Sequence, residues 1–159
     1  SVMPTKLYGP GDNFHPTNSH VVPGLIARFH EARVSNLDEV KVWGSGNANR
    51  EFLHVDDMAT AAIEIMNFDK ELYNSIVLPQ QSHLNVGSGI EYTISDLAML
   101  IAKVTAYEGK IIFDPSMPDG PQRKFIDSSL LHNLGWQASH NLESGLEDAY
   151  NWYLKNISR

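Results

Sequence analysis

Chemistry concentrates in residues 8–20, Tyr-Gly-Pro-Gly-Asp-Asn-Phe-His-Pro-Thr-Asn-Ser-His. This stretch carries two histidines, an aspartate, two asparagines and a serine, while two glycines and two prolines bar it from regular structure. A polar loop set between ordered elements is a usual seat of function. His20 closes the loop where an apolar-periodic segment begins. Imidazole is the side chain that most readily gives and takes protons near neutral pH. His20 is therefore the candidate proton donor or acceptor. On residue type alone, a helix-entry histidine facing water is the commoner alternative.

A second concentration lies at residues 42–58, Val-Trp-Gly-Ser-Gly-Asn-Ala-Asn-Arg-Glu-Phe-Leu-His-Val-Asp-Asp-Met. Trp43 offers an aromatic plane to a base or sugar. Arg50 offers a planar guanidinium that can hold a diphosphate through two parallel hydrogen bonds. The plain alternative is a hairpin with a core tryptophan and a surface arginine. His15 and His20, or His54 with Asp56 and Asp57, raise the idea of a His/Asp metal site. Helix capping explains the aspartates better, and no metal site is expected.

The elements that must position these residues follow from periodicity. Residues 1–7 read as an apolar strand. Val22, Leu25, Ile26 and Phe29 recur at i, i+3, i+4 and i+7 and predict a helix over 21–33, with Pro23 in its first turn. Residues 40–43 and 50–55 read as strands joined by a glycine turn, a plausible hairpin. Asp56 and Asp57 then cap a helix to about residue 66, with Met58, Ala62, Ile63 and Met66 inward. Residues 69–82 show no period and read as a surface excursion around Pro79. Residues 84–86 form a short strand. Thr93 with Asp96 resembles a capping box opening a helix to about residue 106, with Ile94, Leu97, Ala98, Ile101 and Val104 inward. Strands at 110–113 and 125–127 flank a loop with three prolines. Ser128 or Ser129 caps a short helix to Leu134, and the last helix covers 142–156, with Leu142, Leu146, Ala149, Tyr150 and Tyr153 inward.

Helices alternating with short strands define an α/β chain. The strands are too few for a complete doubly wound sheet, and the chain opens inside a strand, so the second part of something longer is expected. Its 159 residues suffice for one domain with a core. A net charge of −7 argues against a diffuse nucleic-acid surface. No apolar run is long enough to span a membrane. The absence of cysteine removes disulfides and thiolate chemistry. Gly9/Gly11, Gly44/Gly46 and Gly87/Gly89 each give G-x-G, but none continues to G-x-G-x-x-G, and no Tyr-x-x-x-Lys occurs. The main phosphate-binding loop of any dinucleotide is not within these residues.

The runs Pro4-Thr-x-Leu-Tyr-Gly-Pro10, Asp12-Asn-Phe-His-Pro-x-Asn-Ser-His20, Val42-Trp-Gly-Ser-Gly46 and Arg50-Glu-Phe-Leu-His-Val-Asp-Asp-Met58 closely resemble the GDP-L-fucose synthase family. That family lies in the extended short-chain dehydrogenase/reductase superfamily. The likeness continues through His83-Leu-Asn-Val-Gly-Ser-Gly89, Pro118-Asp-Gly120, Arg123-Lys124 and Leu134-Gly-Trp136, covering nearly the whole chain. The second run is the narrowest; the Arg50 run is shared loosely with sibling sugar-nucleotide enzymes.

The resemblance implies a C-terminal substrate-binding lobe, residues 1–159, plus the last elements of a Rossmann-type sheet. It implies conversion of GDP-4-keto-6-deoxy-D-mannose to GDP-L-fucose, by epimerisation at C3 and C5 and reduction at C4 with NADP(H). By the same resemblance His20 is the acid of the epimerising pair and lies beside the cofactor. Pro4, Thr5, Lys6 and Leu7 match the segment passing the nicotinamide end; Lys6 stands where the family usually has Asn, and Gly11 where many members have His. Arg28, Trp43, Arg50 and Asp119 match positions that hold the GDP-sugar, Asp119 at ribose or guanine, with Arg123 and Lys124 as weaker candidates. The family's partner cysteine, Ser/Tyr/Lys set and glycine-rich loop have no counterpart here. A homodimer in the cytoplasm and a hydride-transfer-inactive isolated chain complete the expectation. Two alternatives stay open: another NAD(P)-dependent sugar-nucleotide epimerase or dehydratase, separable by UDP- against GDP-sugars, and a non-catalytic nucleotide-sugar binding module.

Overall fold

A computed structural model of the chain describes residues 1–15, 18–78 and 80–158. Pro16 of the His-Pro-x-Asn-Ser-His run and Pro79 of the expected excursion lie outside the described residues. In chain order the elements are β1 (Val2–Pro4), β2 (Lys6–Tyr8), α1 (Val21–Val34), β3 (Glu39–Trp43), β4 (Asn49–His54), α2 (Val55–Met66), α3 (Lys70–Ile76), β5 (Leu84–Val86), β6 (Glu91–Thr93), α4 (Ile94–Thr105), β7 (Lys110–Asp114), β8 (Arg123–Lys124), α5 (Ser129–Asn133) and α6 (Leu142–Asn156).

Pairing is mostly parallel. β1 runs beside β5, β2 beside β4, and β3 beside β7. β4 also takes β6 antiparallel and β8 parallel at its N-terminal end. The expected hairpin does not form: β3 and β4 belong to different sheets. The turn at 44–48 carries the chain from one sheet to the next, and each strand finds a parallel partner distant in sequence. The strand expected at 125–127 forms instead at β8, where Lys124 stands opposite Arg50.

The larger core gathers the inward faces of α1, α4 and α6. Val22, Leu25, Ile26 and Phe29 of α1 meet Leu97, Ala98 and Ile101 of α4 and Leu142, Leu146, Ala149, Tyr150 and Tyr153 of α6, all buried. Burial of a large aliphatic or aromatic side chain stabilises by roughly 1.5–3 kcal/mol, so these three stripes hold the lobe together. The capping box of α4 is complete, with the Thr93 hydroxyl accepting from the Asp96 amide and the Asp96 carboxylate accepting from the Thr93 amide.

α2 departs from expectation. Its N-cap is His54, whose Nδ1 accepts from the Asp56 amide at 3.3 Å. Asp57 is turned inward, where the Ser139 amide and hydroxyl and the His140 amide donate to its carboxylate. Burial works to raise the Asp57 carboxyl, but these bonds outweigh it and hold the group below the ordinary aspartate value. The helix is thereby phased to bury Asp57 and Ala61. Met58 and Ala62 are half-buried, while Ile63 and Met66 are exposed. The stretch read as a surface excursion without a period is exposed and contains the short helix α3, capped by Asp69.

Candidate functional site

The loop after β2 is shaped by its own side chains. The Asn13 carboxamide accepts from the His15 amide at 3.0 Å and donates to the Asn18 carbonyl at 2.9 Å, and His15 Nδ1 accepts from the Asn18 amide. Phe14 pins the loop to α6: it is buried, stacks on Trp152 at 5.9 Å between centroids and meets Tyr153 at 5.0 Å. Phe14 went unremarked in the sequence because one aromatic in a polar run carries no period. The polar residues thus build the scaffold, and the chain is delivered to α1 with His20 at the N-cap position.

His20 does not cap. Its backbone is extended, φ −69° and ψ 168°, and its side chain makes no capping hydrogen bond. The ring is exposed and lines two adjoining cavities. The larger, about 460 Å³, is bounded by Thr5, Lys6, Leu7, Tyr8, the glycine–proline turn at 9–11 and Lys124, among others. The smaller, about 280 Å³, is bounded by Ser19, Arg28, Trp43, Pro118 and Asp119, among others. His20 and Val21 belong to both.

Apart from Pro4 and Arg50, which line neither cavity, the candidate residues sort into two groups with His20 at the seam. Thr5, Lys6 and Leu7 line the larger cavity; Pro4 lies in β1 opposite Val86 and lines neither. Thr5 spends its hydroxyl on the Glu51 carbonyl at 3.2 Å. Arg28, Trp43 and Asp119 line the smaller cavity. Trp43 is 60% exposed, and the Arg28 guanidinium carbon stands 5.9 Å from its ring centroid. Arg28 is also held by the Lys41 carbonyl at 2.8 Å, and burial lowers its pKa.

Arg50 reverses the plain reading of its motif: the tryptophan is outside and the arginine is inside. Arg50 is 7% exposed. It donates to the Asn49 carbonyl at 2.6 Å and to the Asp119 carbonyl at 3.0 Å. Among the described residues it has no carboxylate partner. The Asp119 side chain is bound to the glycine turn, taking the Ser45 amide at 2.7 Å and the Ser45 hydroxyl at 2.8 Å. Gly44, at φ +85°, lies so close that a β-carbon there would collide with the Asp119 carboxylate. The Pro-Asp-Gly loop is thus fastened over the smaller cavity from two sides. Of the weaker candidates, Arg123 is engaged by Glu91 in a forked pair, whereas Lys124 lines the larger cavity. Ser45, missed in the sequence, had no signal beyond its place between two glycines.

Among the described residues no group of three His, Cys, Asp or Glu stands close enough to hold a metal ion. No helix among them is long and apolar enough to cross a membrane. His54 stacks on His140 at 4.1 Å between ring centroids, and its Nε2 stands 3.5 Å from Asp148 Oδ2 without a hydrogen bond. Burial first, and His140 next, lower the His54 pKa.

Short, mostly parallel strands wrapped by helices, with a solvent-open histidine between two polar-rimmed clefts, define an α/β lobe. The chain belongs to the NAD dependent epimerase/dehydratase family, whose pattern matches residues 1–87. It is 54% identical over all 159 residues to GDP-L-fucose synthase of Escherichia coli (strain K12), of which it covers 50%. It is 50% identical over 157 residues, 99% of the chain, to GDP-L-fucose synthase 1 of Arabidopsis thaliana, covering 46% of it. The crystal structure of a GDP-L-fucose synthetase from Naegleria fowleri bound to NADP superposes with a TM-score of 0.83 at 27% identity, over 98% of this chain and 46% of that one. The chain spans about half the length of the relatives it matches.

Proposed function

We propose that this chain is the substrate-binding portion, residues 1–159, of an enzyme that makes GDP-L-fucose from GDP-4-keto-6-deoxy-D-mannose. One observation carries the reading: the His20 ring lies on the seam between the Thr5–Lys6–Leu7 cavity and the Arg28–Trp43–Asp119 cavity. A sugar held across that seam has its ring beside an imidazole, its nucleotide on Trp43 and Asp119, and its reducible carbon facing the larger cavity.

The fit of a nicotinamide dinucleotide rests on that larger cavity. Its 460 Å³ suits one end of such a molecule, and its wall combines a hydroxyl, two lysines and apolar Leu7 and Val55. Thr5, Lys6 and Leu7 would flank the nicotinamide end, with Pro4 setting the strand; the remainder falls to sequence outside these residues. NADP(H), when bound, supplies the hydride for C4.

The sugar's 4-keto group acidifies the hydrogens at C3 and C5. A base takes each proton, leaving an enolate with its charge on O4, and an acid returns a proton to the opposite face. His20 is that acid: Nδ1 or Nε2 delivers the proton, and the ring regains one from water through its exposed edge. Arg50 and Arg28 hold the diphosphate and the sugar so that C3 and C5 stay within reach. Trp43 covers one face, and Asp119 binds ribose or guanine once the ligand competes with Ser45 for its carboxylate.

The intact enzyme is proposed to be a cytoplasmic homodimer; residues 1–159 alone do not transfer hydride. The test is incubation of the intact protein with GDP-4-keto-6-deoxy-D-mannose and NADPH, followed by chromatography of the nucleotide product. GDP-L-fucose formation with matching NADPH consumption supports the reading. Turnover of UDP-sugars and none of GDP-sugars would transfer it to a sibling epimerase or dehydratase. Binding of GDP-sugar without turnover would leave a binding module.

A further inference from the structure

Three cations lie on three neighbouring strands. Lys6 of β2 stands opposite Phe52 of β4, Arg50 lies two residues before Phe52, and Lys124 of β8 stands opposite Arg50. Side chains two apart on a strand share a face, so Lys6, Arg50 and Lys124 project from the same side of the sheet. Lys6 and Lys124 line the larger cavity. Arg50 lines neither cavity, but its guanidinium donates to the carbonyl of Asp119, a residue that lines the smaller one. The row therefore borders the larger cavity and is tied through Arg50 to a residue of the smaller one.

Among the described residues none of the three pairs with a carboxylate, in a chain whose net charge is −7. The nearest acid in sequence, Glu51, is fully buried and accepts from the Gly89 amide at 2.8 Å. Like charges gathered without a counter-charge repel one another. Burial, then Lys124 and Arg50, push the Lys6 ammonium below the ordinary lysine value. A local field of this sign beside a cavity is suited to a multiply charged anion.

We propose that Lys6 is a specificity-determining residue that completes, with Arg50 and Lys124, a three-cation wall holding the diphosphate of the bound sugar nucleotide. The inference rests on the reading of the preceding subsection for the identity of the nucleotide. It deepens that reading by assigning phosphate recognition to a side chain expected at the nicotinamide end. The diphosphate bridges base and sugar, and the wall likewise bridges the cavity of Trp43 and Asp119 and the cavity that His20 shares with Lys6.

Calorimetric titration of the intact protein with GDP, guanosine, inorganic pyrophosphate and NADPH tests this. Lys6→Met keeps the aliphatic stem and Lys6→Arg keeps the charge. Lys6→Met raises the GDP Kd about tenfold, the size of one charge-assisted contact, and flattens its salt dependence. Lys6→Arg holds GDP near native affinity, and guanosine binding is the same in all three proteins. An unchanged GDP Kd in Lys6→Met overturns the proposal, as does equal weakening of guanosine, which marks a structural defect. A loss confined to NADPH would assign the cation to the cofactor's diphosphate and overturns it as well. Lys6-dependent pyrophosphate binding without any GDP binding retains the wall and overturns the guanosine-nucleotide reading. No pyrophosphate or GDP binding at all overturns both.

Discussion

Replacing Arg50 by Met separates what this arginine does for the fold from what it does for a ligand. Met preserves the buried stem and removes the charge. Two hydrogen bonds are lost, to the carbonyls of Asn49 and Asp119. The Asp119 carbonyl belongs to an exposed residue and can bind water instead. The cost of a buried guanidinium without a carboxylate disappears too, along with its repulsion of Lys6 and Lys124. The net loss of stability is expected to be only about 1–2 kcal/mol. Binding has no such compensation. A charge-assisted bond to a diphosphate contributes ~1.5–3 kcal/mol, so GDP affinity should fall roughly 10- to 150-fold. Urea unfolding gives the first quantity and calorimetric titration with GDP the second. Arg50→Lys, a point charge without the fork, should fall between. Unchanged GDP affinity in Arg50→Met would remove Arg50 from the diphosphate site. So would a stability loss large enough to account for the weaker binding through unfolding.

Gly44→Ala tests the fastening of the Pro-Asp-Gly loop. With φ at +85° and the Asp119 carboxylate in the way, the substitution should cost ~1–3 kcal/mol of backbone strain and weaken GDP binding, read by the same two assays; a neutral effect on both would contradict the geometry. Stability should fall as pH drops below about 6.5, because burial holds His54 and also His30 of α1, whose ring nitrogens meet the Tyr150 and Ser158 hydroxyls, below the ordinary histidine value. The unfolded chain then takes up protons that the folded chain refuses, and the loss continues until the pH reaches the folded values. His54→Asn keeps a capping acceptor at that position and should shallow the slope by up to about 1.4 kcal/mol per pH unit. His30 maintains the remainder. Urea titrations between about pH 5 and 7 would show this, and an unaltered slope would remove His54 from the account.

Periodicity made the three helices of the core legible. The i, i+3, i+4 spacing of Val22, Leu25, Ile26 and Phe29 places the face of α1, and the five inward residues named for α6 are all buried. Thr93 with Asp96 announced the start of α4. Pairing was not legible, because β3 and β4 look like a hairpin until β7 and β2 are present to take them in parallel. The phase of α2 is not legible either, because nothing beside Asp57 in the sequence signals that Ser139 and His140 meet it. The loop holding His20, and the candidate roles of Arg28, Trp43, Arg50 and Asp119, came from residue type and family likeness. That Arg28, Trp43 and Asp119 line a cavity adjoining the one along β2, with His20 in both, required the fold. The burial of Arg50 and exposure of Trp43 are the reverse of the plain alternative, since a strand end shows neither its ligand face nor its solvent face by alternation alone.

The proposed function requires the His20 imidazole to move protons at the sugar carbons beside the ketone. The direct measurement is deuterium incorporation at C3 and C5 when the intact protein holds GDP-4-keto-6-deoxy-D-mannose in heavy water without NADPH. The native protein should exchange both positions. His20→Gln should slow exchange by ~10²–10⁴-fold while its affinity for GDP stays the same. Exchange at the native rate in His20→Gln would contradict the assignment.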